Sequence, residues 1–464
     1  MNLDQLCGQR VAVWGLGQEG LGMAALLAGR GVTPVLIDDH VEAASAQALA
    51  VLGGDSVVIS PADVTWPHLD AVVRAPGVSR YRPELVAAAA SGVTVTTAMA
   101  LWLEDFAEAR VVAITGTKGK STTAALTASI LRQEGMEVAL IGNIGVPVTD
   151  MYDRPLVDAY VVEVSSYQAA DVTVSPRICV LTSLAPDHLD WHGGLEPYYR
   201  DKLRLFEAGP PGALAVSAAS PEAVRRTDRH PGRTLFGPMG RVRVAPTGMI
   251  EVDGEPLVDS RRLRAPGRHN QWNLCGAVAG TMLLEGRPPA ARSVAAAVDA
   301  FEGLPSRCHT IGRRDGVTFV DDALASNPFA TLASVEAFPG RELTVILGGA
   351  DRGIDVRPLA EALARRSPIP TVVVLPPDGR RLRVALDSLP ADDRPPVPVR
   401  EADDMAGAVR EAVASTAGGG VILFSPAAPT PDGQGGFRER SRQFAAASGV
   451  PESPAPVPGR APED

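Results

Sequence analysis

A strand that runs directly into a glycine-rich loop and then into a helix is the feature that most constrains the fold of this chain. Residues 109–114 (ARVVAI) form an apolar run typical of a buried strand, and residues 124–134 have helical composition. Between them lies the sequence Gly116-Thr117-Lys118-Gly119-Lys120-Ser121-Thr122. Glycines let backbone N–H groups turn toward phosphate oxygens, and the N-terminus of the following helix adds partial positive charge. The pattern therefore predicts a nucleotide phosphate site in an α/β domain.

Two residues of this loop have specific expected roles. Lys120 is expected to contact the β- and γ-phosphates, and Ser121 to help hold Mg²⁺. The motif is one residue shorter at its front than the full Walker spacing, so a glycine-rich helix start that binds no nucleotide is the alternative.

Strand and helix patterns alternate along most of the chain, which predicts an α/β protein of three domains with mostly parallel sheets. Strands are expected at residues 10–14, 33–37, 71–74, 109–114, 137–141, 159–164, 178–181, 317–320, 343–347, 371–375 and 420–424. Helices are expected at residues 21–28, 124–134, 198–206 and 292–301. The expected domains are a Rossmann-like domain (residues 1–99), a central P-loop ATPase-like domain (100–303) and a C-terminal Rossmann-like domain (304–447). Residues 448–464 contain five prolines and are expected to be a disordered tail.

Composition excludes several classes of protein. The net charge of −10 argues against a nucleic-acid partner that needs a basic surface. No window holds the ~20 consecutive apolar residues that span a bilayer, and the N-terminus has no signal-peptide pattern. The four cysteines are scattered and never form CxxC, which disfavours disulfides and cysteine-based zinc sites. We therefore expect a cytoplasmic protein with no membrane partner.

Polar residues downstream of the loop are candidates for metal and phosphate chemistry. Glu163 ends the strand AYVVE, where it could hold Mg²⁺ or simply face solvent. The run Asp187-His188-Leu189-Asp190-Trp191-His192 is consistent with a metal or phosphate site, and equally with a polar turn. On pattern alone, Lys202 in the helix at 198–206 is a surface lysine.

A second glycine pattern lies near the N-terminus. Gly15-x-Gly17-x-x-Gly20 follows the first strand, and Asp38 comes 23 residues after Gly15, which satisfies a dinucleotide fingerprint. The same geometry cradles any diphosphate. NAD and other diphosphate ligands are both compatible with it.

Eight motifs in fixed order resemble the Mur ligase family of peptidoglycan enzymes. They are GTKGKST (116–122), GNIG (142–145), EVSSYQ (163–168), DHLDWH (187–192), YYRDKLRLF (198–206), HNQWN (269–273), LPSRCH (304–309) and GGADRG (348–353). The resemblance runs from Arg10 to about Phe444, and it is strongest to the branch that adds glutamate to UDP-N-acetylmuramoyl-L-alanine.

The resemblance implies an ATP-dependent amide ligase of cell-wall precursor synthesis, which serves cell shape and cell division. In this family a carboxylate of the UDP-sugar attacks the γ-phosphate of ATP, and an amino acid's amine then attacks the acyl phosphate. ADP and phosphate are released. Two Mg²⁺ ions offset charge among the phosphates and the carboxylate. Lys202 matches the family's carbamylated lysine, which overturns its interpretation as a surface residue.

The resemblance also implies a role for each matching residue. The expected catalytic residues are Lys120, Asn143, Glu163, His188 and Lys202. The expected metal ligands are Ser121, Glu163, His188 and carbamylated Lys202. ATP is expected to contact Gly116, Thr117, Lys118, Gly119, Lys120, Ser121, Thr122, Asn273, Arg307 and Asp322. The UDP-sugar is expected to contact Gly15, Leu16, Gly17, Gln18, Asp38, Gly77 and Asn143. The incoming amino acid is expected to contact Ser326, Arg352, Thr430 and Phe437.

The chain departs from the D-glutamate-adding branch where the amino acid should bind. Leu324 and Arg352 stand where that branch has lysines, and Thr430 stands where serine is usual. Arginine offers a planar fork where lysine offers a point charge. Residues 325–331 and Asp351-Arg352-Gly353 instead resemble the variant that adds L-glutamate and works with an epimerase. We therefore expect L-glutamate, with D-glutamate as the alternative.

Three other interpretations remain at this point. A non-catalytic nucleotide-binding protein on the same scaffold would be expected to lose lysine or metal positions, which are present here. A glutamate-adding folate ligase would not be expected to have a UDP-binding domain like residues 10–99. An NAD oxidoreductase would be expected to give a hydride-transfer signal. The expected protein is a monomer.

Overall fold

Three separate β-sheets organise the chain in this computed structural model. The structure describes residues 1–53, 56–210, 212–351, 353–377, 379–389, 396–431 and 433–450. They divide into two units: unit 1 holds Met1–Ser260 and Trp272–Ala297, and unit 2 holds Arg261–Gln271 and the residues from 298 onward. No helix among the described residues is long and apolar enough to cross a membrane.

The first sheet of unit 1 is fully parallel, with strand order β3-β2-β1-β4-β5. Its strands are β1 (Val11–Trp14), β2 (Val35–Ile37), β3 (Val58–Ile59), β4 (Ala71–Arg74) and β5 (Thr94–Thr96). The accompanying helices are α1 (Leu3–Cys7), α2 (Gln18–Gly29), α3 (Val41–Leu52), α4 (Pro83–Ala90) and α5 (Ala98–Asp105). Strand order reverses between β1 and β4, and such switch points open a crevice at the carboxyl ends of the strands. The Gly15 loop and residues 75–77 therefore flank a natural ligand site.

The second sheet of unit 1 has the order β14-β13-β12-β11-β10-β9-β6-β8-β7. Its strands are β6 (Val111–Thr115), β7 (Val138–Gly142), β8 (Ala159–Glu163), β9 (Ile178–Leu181), β10 (Ala213–Ser217), β11 (Arg233–Gly237), β12 (Val242–Val244), β13 (Met249–Val252) and β14 (Glu255–Asp259). Its helices are α6 (Lys120–Gln133), α7 (Ser166–Ala169), α8 (Leu189–His192), α9 (Leu195–Glu207) and α10 (Pro221–Arg226). Because β6 lies between β8 and β9 in parallel, the loops that follow these three strands meet at one edge.

Unit 2 contains the third sheet, with strand order β15-β16-β20-β17-β18-β19. Helices α11 (Arg268–Glu285) and α12 (Ala291–Ala300) precede it and have residues in both units. Its strands are β15 (His309–Arg314), β16 (Val317–Asp321), β17 (Leu343–Leu347), β18 (Thr371–Val374), β19 (Val399–Glu401) and β20 (Val421–Phe424). Its helices are α13 (Pro328–Glu336), α14 (Arg357–Arg365), α15 (Gly379–Asp387), α16 (Met405–Ala414) and α17 (Gly436–Ser448). Strand β15 pairs antiparallel with β16, and the other described pairs are parallel.

One apolar core joins the two sheets of unit 1. Trp102 of α5 is fully buried, stacks on Phe106 with ring centroids 4.6 Å apart, and meets Tyr160 of β8 edge-on at 5.2 Å. Aromatic pairs at such distances add stability beyond their buried area. The N-terminal and central sheets are therefore packed as one unit.

The predicted α/β fold with mostly parallel sheets is confirmed, and the helix starts differ in detail. Helix α6 begins at Lys120 rather than at residue 124, because Gly119 adopts a left-handed conformation that caps the helix earlier. Helix α2 begins at Gln18 rather than at residue 21. At the C-terminus, Ser448 ends α17 and Val450 is buried, so packed chain continues past the expected start of the tail; residues 451–464 lie outside the described residues.

Candidate active site

The phosphate loop after β6 is held against the loop after β9. Gly116 has φ +147°, and a Cβ there would lie 2.1 Å from Thr182 Oγ1. Gly119 has φ +90°, and a Cβ there would lie 2.4 Å from Asn273 Oδ1. Side chains at either position would clash and strain the backbone, so glycine is required at both. The loop conformation predicted from the sequence is therefore present, with Asn273 beside it.

The amines of Lys120 and Lys202 both reach the phosphate loop. Lys120 Nζ donates hydrogen bonds to the carbonyls of Gly116 (2.9 Å) and Thr117 (3.2 Å). Lys202 Nζ, on α9, donates to the same Gly116 carbonyl at 3.0 Å. Lys202 is only 2% exposed, so its interpretation from pattern as a surface lysine is wrong. Burial, followed by the nearby charge of Lys120, lowers the pKa of Lys202 well below its usual value, which favours a neutral amine.

Glu163 ends β8 as a fully buried carboxylate. Asn143 Nδ2 donates a hydrogen bond to Glu163 Oε1 at 2.9 Å, and the Asn143 N–H donates to the Glu163 carbonyl at 2.9 Å. Oε2 is buried and has no hydrogen-bond partner among the described residues. A buried carboxylate oxygen without a partner is costly unless a ligand satisfies it. The alternative that Glu163 is a solvated strand-end acid is therefore wrong.

These groups fit Mg²⁺ held together with a nucleotide. The described residues contain no cluster of three or more His, Cys, Asp or Glu arranged around a metal position. Magnesium, however, is usually bound by one or two protein ligands together with substrate phosphates and water. The orphaned Glu163 Oε2, with the buried Ser121 hydroxyl at the start of α6, supplies ligands of the right kind.

His188 and Lys118 both lie beside Asp187. His188 has a left-handed backbone (φ 52°), and burial lowers the pKa of its imidazole to about 4, so the ring is neutral at neutral pH. Its Nδ1 is buried without a hydrogen-bond partner among the described residues. Lys118 Nζ lies 3.3 Å from Asp187 Oδ2. Neutral imidazole can bind a metal or accept a proton, so His188 retains the capacity expected of it.

The chain contains only three lysines, and all three lie in or beside the phosphate loop. They are Lys118, Lys120 and Lys202, whereas the remaining basic side chains among the 44 Lys and Arg residues are arginines. Arginine cannot lose its proton in a protein, whereas a buried lysine can. This distribution is a compositional signal that marks the candidate active site.

A cavity of about 520 Å³ opens at the switch point of the first sheet. It is lined by six of the seven residues expected to bind the UDP-sugar, namely Gly15, Leu16, Gly17, Gln18, Asp38 and Gly77. Asp38 accepts hydrogen bonds from the N–H groups of Leu16 (2.8 Å) and His40 (2.9 Å), so its carboxylate shapes the loop. The seventh, Asn143, follows β7 and lies beside Glu163 instead.

Polar contacts of Arg74 and Tyr81, which no sequence pattern indicated, connect the N-terminal and central parts of unit 1. Arg74 of β4 pairs with Asp171 at 2.5 Å, and both side chains are almost fully buried. His192 Nδ1 lies 2.7 Å from Asp201 Oδ2, and the hydroxyl of Tyr81 also bonds Asp201. His192, one of the two histidines in the DHLDWH run, is thus occupied by a structural contact. Arg74 and Asp171 are 97 residues apart, and Tyr81 and Asp201 are 120 apart, so no local pattern indicates these two contacts.

In unit 2, Asp322 is buried within an internal hydrogen-bond network. Its carboxylate accepts hydrogen bonds from Ser334 (2.7 Å), Ser425 (2.7 Å) and the Cys308 N–H (3.0 Å). Burial raises its pKa to about 6. Asp322 therefore organises the ends of β16 and β20, and its contact with ATP stays a prediction, as does that of the half-buried Arg307.

Two of the four residues expected to bind the amino acid, Ser326 and Thr430, lie at or beside a small cavity in unit 2. Ser326 lines a space of about 40 Å³ together with Ala350, Arg381 and Pro429. Thr430 follows Pro429 directly, and Phe437 is half-buried against the core beside β20. Arg352 lies outside the described residues. The cavity thus adjoins two of the expected motifs, and Arg381 is a lining cation that the sequence analysis did not identify.

Three family models match successive parts of the chain. They are the Mur ligase MurD-like N-terminal domain at residues 9–97, the Mur ligase middle domain at 114–280, and the Mur ligase glutamate ligase domain at 306–428. Among solved structures, UDP-N-acetylmuramate-alanine ligase from Thermotoga maritima is similar, with a TM-score of 0.58 and 20% identity, covering 94% of this chain and 98% of that one. A Mycobacterium tuberculosis folylpolyglutamate synthase complexed with ADP has a TM-score of 0.57 and 17% identity, covering 77% and 95%. At these identities the likeness shows the fold.

Several relatives match this chain over nearly its full length and nearly theirs. UDP-N-acetylmuramoyl-L-alanine--L-glutamate ligase from a Micromonospora species is 40% identical over 96% of this chain and 98% of its own length. The protein of the same name from Salinispora tropica is 41% identical over 96% and 99%, and that from Xanthomonas oryzae is 33% identical over 99% of both. This chain belongs to the Mur ligase family.

Proposed function

We propose that this protein joins L-glutamate to UDP-N-acetylmuramoyl-L-alanine at the expense of ATP, in cytoplasmic peptidoglycan precursor synthesis. The proposal rests on one observation: unit 1 contains two candidate ligand sites. A diphosphate-sized cavity with a glycine-rich wall and a phosphate loop with an adjacent buried acid belong to the same packed unit. A ligase that activates a UDP-sugar with ATP needs both.

Different residues of unit 1 have different roles in the proposed reaction. The Gly116–Gly119 backbone and Lys120 bind and orient the nucleotide phosphates, so that the γ-phosphate can be attacked in line. The N-terminal cavity holds the UDP part, which fixes the position of the terminal alanine carboxylate. Asn143 orients Glu163 through its side-chain hydrogen bond, and we expect it to contact the transferred phosphoryl group. Holding the reactants in one geometry supplies much of the acceleration in such reactions.

Metal ligation by Glu163, Ser121, His188 and modified Lys202 completes the proposed site. Magnesium, when bound, neutralises charge that develops on the phosphoryl oxygens. A neutral Lys202 amine can add to CO₂ and release a proton, giving a carbamate that is an oxygen ligand for a hard cation. The depressed pKa of Lys202 and its position at the Gly116 carbonyl support this step.

The choice of L-glutamate rests on the acceptor region. Leu324 stands where the D-glutamate branch has a lysine, which removes one cation from the pocket. Exchange of enantiomers moves one carboxylate relative to the amine, so the cations that bind it must move too. The names of the relatives from Micromonospora and Salinispora support the L-isomer. An epimerase that inverts the glutamyl centre of the product is the expected functional partner, and the enzyme itself is expected to act as a monomer.

A ligation assay read by mass spectrometry tests the proposal. The protein, ATP, Mg²⁺ and UDP-N-acetylmuramoyl-L-alanine are incubated with L-glutamate or with D-glutamate in separate reactions. We expect a product one glutamyl residue heavier with L-glutamate only. Product with D-glutamate only would assign the chain to the ordinary ligase. No ATP turnover with either isomer would favour a non-catalytic role.

A further inference from the structure

Glu19 is an acidic residue inside the glycine motif that is proposed to hold the UDP diphosphate. It lies in the first turn of α2, directly after Gly17 and Gln18, and it lines the 520 Å³ cavity with them. A carboxylate at this place would repel a diphosphate by like charge. None of the roles assigned so far accounts for an acid at this position.

The orientation of Gln168 determines which oxygen of Glu19 can carry a proton. The side-chain oxygen of Gln168 accepts hydrogen bonds from the Ser165 N–H and the Ser165 hydroxyl, both at 3.0 Å. A backbone N–H can only donate, so the amide nitrogen of Gln168 must face Glu19. That nitrogen donates to Glu19 Oε1 at 2.5 Å. Oε1 is therefore an acceptor, and a proton on Glu19 belongs on Oε2.

Oε2 of Glu19 is buried and has no hydrogen-bond partner among the described residues. A buried carboxylate oxygen without a hydrogen-bond partner favours the protonated, neutral form of the acid. Burial accordingly raises the pKa of Glu19 to about 7, while the hydrogen bond from Gln168 and the charge of Arg74 act in the opposite direction.

The charged groups around Glu19 come from several elements. Arg74 faces it from β4, and the Arg74 charge is shared with Asp171. Asp38, Asp39, His40 and Arg82 line the same cavity, where Asp38 holds the loop and Asp39 pairs with Arg82. His40 is the one histidine among these residues, so it needs a control variant of its own.

We propose that Glu19 is a proton-linked acid of the sugar-nucleotide site: the UDP-sugar binds beside it most tightly when its carboxyl group is neutral, because a carboxylate there would repel the diphosphate. The inference rests on the proposed function of this cavity. Binding of the diphosphate takes up a proton when the pH exceeds the pKa of Glu19, because the nearby anion disfavours the carboxylate. Affinity then falls as the pH rises, by up to about tenfold per pH unit, which is the slope of one linked proton.

Calorimetry of UDP-N-acetylmuramoyl-L-alanine binding without ATP tests this assignment. The ligand's diphosphate is a diester, so it does not titrate between pH 6 and 8.5. Titrations in buffers of different ionisation enthalpy give the number of protons taken up. We expect the wild-type protein to take up a substantial fraction of one proton at pH 8, and its Kd to weaken between pH 7 and 8.5. Glu19→Gln keeps a hydrogen-bond donor without a titrating proton, so we expect no proton uptake and a flat pH profile.

Two control variants test whether the proton taken up on binding belongs to Glu19 or to a neighbouring group. His40→Gln removes the competing titratable group, and Glu42→Gln changes an exposed acid on α3; both should keep the proton uptake of the wild type. Proton uptake that persists in Glu19→Gln, or disappears in His40→Gln, would overturn the inference. Tight binding by the wild type without any proton uptake would overturn it while leaving the proposed function intact. Failure of the wild type to bind at any pH would overturn both.

Discussion

The side-chain amide of Asn143 donates a hydrogen bond to one oxygen of Glu163, and the other oxygen has no partner in the part of the chain that the structure describes. Asn143 directly follows β7, and Glu163 ends the neighbouring strand β8, so the sheet itself sets their distance. A carboxylate held at one oxygen and open at the other is suited to bind a cation that arrives with a substrate.

Glu163→Gln should therefore abolish efficient ligation while the fold is retained. We expect kcat to fall about 100-fold, because the amide keeps the shape but loses the charge that binds the metal. Steady-state kinetics at several Mg²⁺ concentrations provide the measurement. The exposed Glu137→Gln is the matched control and should behave as wild type. Equal activity of the two variants would remove Glu163 from the metal site.

Lys120→Ala should stop ATP turnover, because its amine lies at the centre of the phosphate loop. A loss of at least about 10³-fold is expected for a cation that stabilises phosphoryl transfer. The comparison is Lys118→Asn, which removes a half-exposed ion pair with Asp187 and should cost about tenfold at most. ADP release is the readout, and wild-type rates in Lys120→Ala would contradict the loop assignment.

Carbamylation of Lys202 should be visible as a ¹³C resonance in protein equilibrated with ¹³C-bicarbonate. The signal should grow as the pH rises, because a lysine must lose its proton before it can form a carbamate. The lowered pKa of Lys202 brings this deprotonation closer to neutral pH than in an ordinary lysine. Lys202→Arg should lack the signal and ligase activity. An active Lys202→Arg variant would show that no amine chemistry is needed there.

Asp171→Asn should destabilise unit 1 by about 3 kcal/mol, because it leaves Arg74 as a buried charge without its counter-ion. All five tryptophans lie in unit 1, so urea unfolding followed by tryptophan fluorescence reports on this unit. Asp153→Asn is the control: Asp153 is exposed and pairs with Arg30, so this variant should have the unfolding midpoint of the wild type. Equal midpoints for the two variants would mean that the buried pair contributes nothing specific.

Arg352→Ala should raise the Michaelis constant for glutamate about tenfold or more and leave those for ATP and the UDP-sugar within about twofold. Charge-assisted hydrogen bonds to carboxylates are among the stronger polar contacts. Initial-rate kinetics with each substrate varied in turn give the answer. An unchanged constant for glutamate would exclude Arg352 from the acceptor pocket.

Local sequence predicted the elements of the fold but not the long-range contacts of the site. The phosphate loop was recognisable because glycine, lysine and helix start follow one another in the chain. The contact between Glu19 and Gln168 joins residues 149 positions apart, and that between Lys202 and Gly116 joins residues 86 apart. Only packing of the two sheets brings such partners together. The burial that lowers the pKa of Lys202 and raises that of Asp322 has the same origin.

The gathering of all lysines at one loop also makes the protein unusual toward amine-directed reagents. Apart from the N-terminal amine, which lies near Glu104, every primary amine in the chain belongs to Lys118, Lys120 or Lys202. An acylating reagent or a lysine-specific surface coupling therefore finds its side-chain targets only among these three residues. Lysine labelling, which spreads over the surface of a protein with many lysines, is directed in this chain to the candidate active site.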